Sequence, residues 1–412
     1  MDSLPDAILQ CILSRISNAR DVSSCNCVSK RWKESTPYIR TLYFPRTSFK
    51  TPSSEAADNI IKRMVSRVVN LEELIVYIPF SPNGLASWLS LVAHSLLQLE
   101  LRMDNLTNNP SKLDYIATAK NLESLKLWGV FMLRSPKWDV FPNLKNLEII
   151  GARLKKLDLS LLLRSCPMLT RFLLLGCEGV RSLSIDLPCL EHCKLDFYGM
   201  GDCSLTLTSP KIESLEVRGC SWIRVPETKH LRTLSISNRD GRVYMVDFGN
   251  LSALEFLCMR GVQWSWDAIC KMLKLATEVK HLFMMVEFTG DFDALKPFPE
   301  IDFVDFFNSH QKLRKFDIHG AMFAALCQRN SLKHVDSAFV IPFLEEVVIT
   351  VRSPLNAEQK MSTLDSLLKY GKSLKIMVIK ILEMKSLHSS ADDFFDEICR
   401  LRYRNRNIVR IQ

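Results

Sequence analysis

Glycine is scarce in this chain, 14 among 412 residues, and the motifs in which glycine serves chemistry are missing. There is no P-loop, no Gly-x-Ser-x-Gly elbow, no dinucleotide-binding glycine turn and no His-Glu-x-x-His helix. No catalytic residue and no cofactor site is therefore assigned. Long apolar runs are lacking too. No stretch nears the roughly 20 apolar residues of a bilayer span, and Asp2 and Asp6 stand where a secretory leader would be basic and then apolar. The expectation is a protein neither secreted nor membrane-spanning. A paired cysteine framework is also absent, since the 13 cysteines are odd in number and scattered through apolar patterns. A reducing compartment, cytoplasmic or nuclear, follows.

Charge of one sign is not concentrated. The formal +9 is spread over a chain in which 45 acidic residues are interleaved with 54 basic ones, which argues against nucleic acid as partner. The densest basic run, Arg400, Arg402, Arg404, Arg406 and Arg410, nearly alternates, as on the solvated edge of a last strand. Cys189, His192 and Cys193, with Cys177 and Cys203 nearby, lack the spacing of a second paired half-site. Cys193 also falls on an apolar core position, so no metal is expected. Cys25 and Cys27 lie on a predicted helix and point to different sides.

What is there is a repeat. An apolar-x-x-apolar-x-apolar unit recurs thirteen times, among them Leu71/Leu74/Val76, Leu96/Leu99/Leu101, Leu122/Leu125/Leu127, Leu190/Cys193/Leu195, Leu254/Leu257/Met259 and Leu374/Met377/Ile379. From Leu122 to Val279 the unit starts lie 19 to 25 residues apart, inside the range of leucine-rich repeats. The fourth and sixth positions alternate with polar ones and so point to one face of a short strand, while the first turns inward from the preceding bend. One unit buries too little alone; stacked neighbours share a continuous core. The fold class is thus α/β, a leucine-rich-repeat solenoid with a curved parallel sheet and convex helices and loops. Leu85, Trp88, Leu89 and Val92 predict one outer helix. Ser265 with Trp266, Ile269, Cys270 and Leu273 predicts a second, and Asn356 through Met361, Leu364, Leu367 and Leu368 to Gly371 a third. Between about 140 and 236 the connections are too short for full helices. The half-matches Leu154/Leu157/Leu159 and Val180/Leu183/Ile185 fit opposing strands or compressed turns, and both stay open.

The first residues do not follow the repeat. Pro5 opens a helical pattern through Ile8, Leu9, Ile12, Leu13 and Ile16. After a break near Asn18, a second segment runs from Asp21 through Val22, Cys25, Val28 and Trp32. So short a module cannot enclose all these apolar side chains, so part of its surface must be covered by the repeats or by another protein. The predicted organisation is a small all-α module at 1–38, repeats at 39–350 and a C-terminal repeat or cap unit at 351–412.

Leu4-Pro5-Asp6, Ile8-Leu9, Ile12-Leu13-Ser14, Ile16, Asp21-Val22 and Val28-Ser29-Lys30-Arg31-Trp32 together resemble an F-box, in the form that opens plant F-box/leucine-rich-repeat proteins. The resemblance covers about 40 residues. It departs from many F-boxes in having Ser29 where they carry Cys. Ser165-Cys166-Pro167-Met168-Leu169 is similar to the repeat opening of the same proteins, and Ile39/Leu42/Phe44 looks like their first capping strand. The resemblance implies docking onto the Skp-family adaptor of a cullin-RING (SCF) ubiquitin ligase, with Leu4, Pro5, Ile8, Ile12 and Leu13 as adaptor contacts. Val28 and Trp32 would fix the helices to one another and to the repeats. It also implies an unknown target protein held on the repeat surface.

The residues that alternate with the core leucines would face that target. Among them are Glu73, Tyr77, Glu100, Arg102, Lys126, Glu148, Lys194, Asp196, Glu216, His281, Asp317 and His319. Trp128, Arg218, Arg260 and Phe283 are the expected anchors, because large aromatics and arginine concentrate binding energy. Two other readings fit the same residues. One is a repeat scaffold or inhibitor without a ubiquitin role; the other is a receptor whose target site is completed by a small molecule.

Overall fold

The computed structural model describes residues 4–47, 49, 53–103, 110–154, 159–199, 201–288, 298–328, 335–336, 338–382 and 389–412, leaving aside the side chains of 389–391. The chain divides into two compact units, one of Met1–Gly199 with Leu207–Ser209 and one of Met200–Thr206 with Pro210–Gln412.

The first unit begins with α1 (Asp6–Leu13), α2 (Ala19–Cys25) and α3 (Lys30–Ser35). The second helical segment expected through Trp32 is therefore two helices. The chain breaks after Cys25 because the Ser29 hydroxyl accepts the Trp32 backbone N–H at 3.3 Å and caps a new helix. Cys25 is buried, and Cys27 lies beyond the helix end and is exposed.

Strands then alternate with outer elements: β1 (Thr41–Phe44), α4 (Ser54–Val65), β2 (Glu73–Val76), α5 (Pro82–Val92), β3 (Gln98–Arg102), β4 (Ser124–Trp128), β5 (Phe131–Met132), β6 (Asn146–Ile150), β7 (Arg153–Leu154), α6 (Leu159–Arg164), β8 (Arg171–Glu178), β9 (Ser182–Asp186) and β10 (His192–Tyr198). Strands one repeat apart pair in parallel. Leu42, Leu74, Leu99, Leu125, Leu147, Phe172 and Cys193 stand side by side in register across this sheet. All seven are buried. These are the fourth positions of the sequence repeat and of the first capping strand. Alternation along each strand therefore decides which leucines stack, and the buried first-position residues Leu71, Leu96 and Leu122 close the layer from the bends.

The second unit repeats the scheme with β11 (Cys203–Thr208), β12 (Ser214–Arg218), β13 (Cys220–Val225), β14 (Thr233–Asn238), β15 (Met245–Phe248), β16 (Phe256–Gly261), α7 (Trp266–Leu275), β17 (His281–Val286), α8 (Phe303–Ser309), β18 (Lys315–His319), α9 (Gly320–Leu326), β19 (Glu346–Val351), α10 (Ala357–Tyr370), β20 (Ile376–Ile381), α11 (Ser389–Arg404) and β21 (Val409–Ile411). Leu215, Leu234, Leu257, Leu282, Phe316, Val347, Met377 and Val409 form its buried register row. The outer helices expected from sequence are present as α5, α7 and α10, and Ser265 caps α7 through the Ala268 N–H.

The open choice in the middle of the chain resolves as strands for one half-match and not for the other, where a short six-residue helix intervenes. β11, β13 and β15 pair in parallel as a second small sheet, and the half-match around Leu183 is β9. Leu154 ends β7 and Leu159 starts α6; Leu157 lies outside the described residues. The basic run at the C-terminus is a correction. Arg400, Arg402 and Arg404 belong to helix α11, and of the five arginines Arg410 alone lies on a strand. The helix is set by Phe394, Ile398 and Leu401, buried at spacings of four and three, a period that the alternating arginines obscure.

His310 lies buried at the end of α8, its ring stacked on Phe306 at 4.5 Å and its Nδ1 2.8 Å from the Phe306 carbonyl oxygen. Burial outweighs the backbone hydrogen bonds and pushes its pKa below the ordinary 6.5. The unfolded imidazole takes up a proton below about 6.5 where the folded one does not, so acidification favours unfolding, by up to about 1.4 kcal/mol per pH unit. Melting temperature followed from about pH 7.5 to about pH 5.5 should therefore fall less steeply for His310→Gln than for the parent. Equal slopes would remove His310 from the acid response.

Candidate functional site

Helix α1 starts after Pro5, which occupies the position just before the helix and leaves Asp6 in the first turn. Asp6 is ion-paired at 2.7 Å with Arg31 of α3, and Arg31 also donates to the Leu4 carbonyl, so the start of α1 is clamped against α3. The module is joined to the sheet by backbone: the Tyr43 N–H of β1 donates to the Ser17 carbonyl at 2.7 Å, and Asn18 forms a bridge with Tyr43.

An α-helix sends residues four apart to the same side. Leu9 and Leu13 turn inward, Leu13 to 1% exposure, while Ile8 and Ile12 stay 47% and 44% exposed. Pro5 is exposed and Leu4 half-buried. Four of the five expected adaptor contacts are therefore available on the surface. Leu13 is a correction, because its place one turn after Leu9 points it into the module. Val28 is another: expected to fix the helices, it is 61% exposed after the end of α2, while Trp32 is half-buried. Beside α1 runs a groove of about 690 Å³ whose walls include Ala7, Cys11, Arg15, Tyr38, Arg40 and Asn70.

On the first unit's sheet, the positions opposite the core carry a connected polar network. Glu100 Oε1 accepts from the Tyr77 hydroxyl at 2.5 Å and from the Trp128 Nε1–H at 2.7 Å. Lys126 lies 3.6 Å from Glu100 and 3.7 Å from Glu148, with its ammonium 4.9 Å from the centre of the Trp128 ring. Burial and the bond to Glu100 push the Tyr77 hydroxyl well above its ordinary range. The expected anchor Trp128 is thus a preoriented indole. Arg171, 4.0 Å from Glu148, and Tyr43, edge-on to Tyr77 at 5.4 Å, extend the network and were not singled out from sequence. The signal was available, since Arg171 immediately precedes a core position as His192 does. Glu100→Ala removes both acceptor contacts and should cost about 1.5–3 kcal/mol, with a red shift of the Trp128 emission that Trp128→Phe abolishes. Urea denaturation and emission spectra check it, and an unshifted spectrum would mean that Glu100 does not hold the ring.

On the second unit's sheet, Arg218 and Arg260 share a register row with Ser237 between them. Phe283 stands on the strand next to Arg260, its ring 5.2 Å from that of Phe256. Three of the four expected anchors thus lie in the second unit and Trp128 in the first. Asp317, expected to face the target, is a correction: it is buried, with His319 Nε2 at 3.2 Å. Burial and the cations Lys315, Lys280 and Arg314 hold the His281 pKa below its ordinary value. Cys177, Cys193 and Cys203 are buried, and burial pushes the Cys177 thiol up to about 11. Among the described residues no group of three or more His, Cys, Asp or Glu is arranged to hold a metal ion, and no helix is long and apolar enough to cross a membrane.

Comparison with known proteins places these surfaces among relatives. Residues 1–43 match the F-box-like family, and residues 85–220 match the family described as FBD-associated F-box protein At5g56370, LRR repeats. The chain is 64% identical over 419 aligned residues to the F-box protein At1g10780 of Arabidopsis thaliana, covering 100% of both chains. It is 27% identical over 304 residues to the F-box/LRR-repeat protein At1g67190 of the same plant, covering 68% of this chain and 70% of that one.

Proposed function

Since the chain belongs to the F-box proteins and carries leucine-rich repeats, we propose that it is the substrate-recognition subunit of an SCF-type ubiquitin ligase. One end docks a Skp-family adaptor and the repeat faces hold a target protein. The observation that carries this reading is the exposed pair Ile8 and Ile12 on α1, inside the F-box-like residues. Isoleucines left half in water on a rigid helix form an apolar anchor that a partner's groove would desolvate.

The receptor contributes position. A target bound to the repeats has its lysines held near a ubiquitin-charged enzyme, and tethering raises their effective concentration without any catalytic group from this chain. The repeat faces suit a protein target, with charges of both signs around Trp128 in the first unit and, in the second, the Arg218–Glu216 pair, whose Arg218 shares a register row with Arg260. The working compartment in this reading is the cytoplasm, the nucleus or both.

The test is reconstitution. Purified full-length chain mixed with a Skp-family adaptor, cullin and RING subunit is expected to comigrate with them in size-exclusion chromatography. Failure to comigrate at micromolar concentration would leave a binding scaffold without a ligase role.

A further inference from the structure

Helix α11 has two apolar stripes. Phe394, Ile398 and Leu401 are buried in the second unit. On another side of the helix, Phe395, Cys399 and Tyr403 recur every four residues, with Phe395 44% and Tyr403 69% exposed and Cys399 partly so. Charge along the helix is segregated: Asp392, Asp393, Asp396 and Glu397 occupy the first half, and Arg400, Arg402 and Arg404 the second, with Arg406 just beyond. All eight are exposed. Among the described residues no ion pair engages any of them. Like charges four apart, such as Asp392 with Asp396 and Arg400 with Arg404, repel along the helix.

We propose that two copies of the chain associate through antiparallel packing of their α11 helices about a two-fold axis at Cys399. A two-fold contact is self-complementary, and this helix meets that condition residue by residue. With Cys399 opposite Cys399, Phe395 faces Tyr403, Asp396 faces Arg402 and Asp392 faces Arg406, each pair occurring twice. The apolar stripe meets itself and each acidic half meets a basic half. Arg406, whose guanidinium lies 4.6 Å from the centre of its own Tyr403 ring, closes the end of the stripe. One helix per copy makes a small interface, so the association is weak and reversible, with a Kd on the order of 10 µM. It weakens as salt screens the cross-pairs. The contact draws on the second unit alone and stands whether or not the adaptor reading holds.

Sedimentation of the full-length chain between about 1 and 200 µM should show mass rising from one copy to two. Asp396→Arg alone and Arg402→Asp alone should each weaken association about tenfold or more, since the two-fold doubles each reversal. The combined Asp396→Arg, Arg402→Asp chain should recover it, because the exchanged charges face one another again. With the exposed Cys11 and Cys27, and Cys189 and Cys270, which are partly exposed as Cys399 is, changed to Ser, a short bismaleimide should couple Cys399 to Cys399 in a concentration-dependent way. Circular dichroism of each variant identifies any that unfold, and the exchanged chain keeps the composition of the parent. A single-copy mass at the highest concentration overturns the proposal. So does a dimer indifferent to the single reversals, or one that the exchange does not restore.

Discussion

Replacing Ile8 and Ile12 together by aspartate is expected to weaken capture of a Skp-family adaptor by about a hundredfold or more, while the melting temperature of the free chain stays nearly unchanged. Both side chains stand about half in solvent, so in the free chain the carboxylates remain hydrated. In the complex they would lie in an apolar groove, where burying an unpaired charge is costly. The neighbouring pair supplies the control. Leu9→Ala and Leu13→Ala remove buried packing and should each cost about 2–5 kcal/mol of stability, lowering adaptor capture only as far as the module unfolds. Titration calorimetry with the adaptor, beside thermal melts of each variant, separates the two outcomes. Unchanged affinity in the double aspartate variant would sink the docking assignment.

Trp88→Ala should be among the most destabilising single changes in the first unit, at about 3–5 kcal/mol. The indole is fully buried, packs edge-on against Phe80 at 5.6 Å, and donates from Nε1 to Asp58 Oδ1 at 3.3 Å. Asp58 is itself buried and accepts the Ser81 backbone N–H at 3.1 Å through its other oxygen. Truncation would open a cavity and take one donor from a buried carboxylate. Gly84 belongs to the same arrangement, since a Cβ there would overlap the Asp58 carboxyl group. Trp88→Phe keeps most of the volume and loses the donor, so it should fall between parent and alanine variant. The urea midpoint of the first unit measures the order, and equal midpoints for the Phe and Ala variants would show that volume is not what the site requires.

The repeat was legible because its signal is a geometric necessity. Parallel strands one unit apart bring equivalent positions side by side, so a leucine that stacks on a leucine must recur at the same place in every unit. Ile8 and Ile12 stand exposed on α1 and Pro5 just before it, but whether Leu13 faced in or out depended on which stripe of the helix the module buried, and α1 is apolar on both. The split of α2 from α3 was available in Ser29, a capping residue three places before Trp32, and was lost to the apolar spacing that runs across the gap. At the C-terminus a period of two in the arginines competed with a period near four in Phe394, Ile398 and Leu401. The buried set decides, because a solvated charge tolerates either backbone. The members of the Glu100 network could be placed on one face from the repeat register, but not their pairings, because which side chains of neighbouring repeats meet is set by rotamers that the sequence pattern does not carry.

The bridge between Ser17, Asn18 and Tyr43 sets how the N-terminal helices can move. Hydrogen-bonded to the first strand, they do not hang on a free tether, and an attached ligase would inherit the heading of β1 with little room to swing. For a target seated on β1 to β10, the lysines reached would then be chosen by the arc that this fixed heading sweeps. Adding flexible residues between Asn18 and Tyr43 would blur that choice.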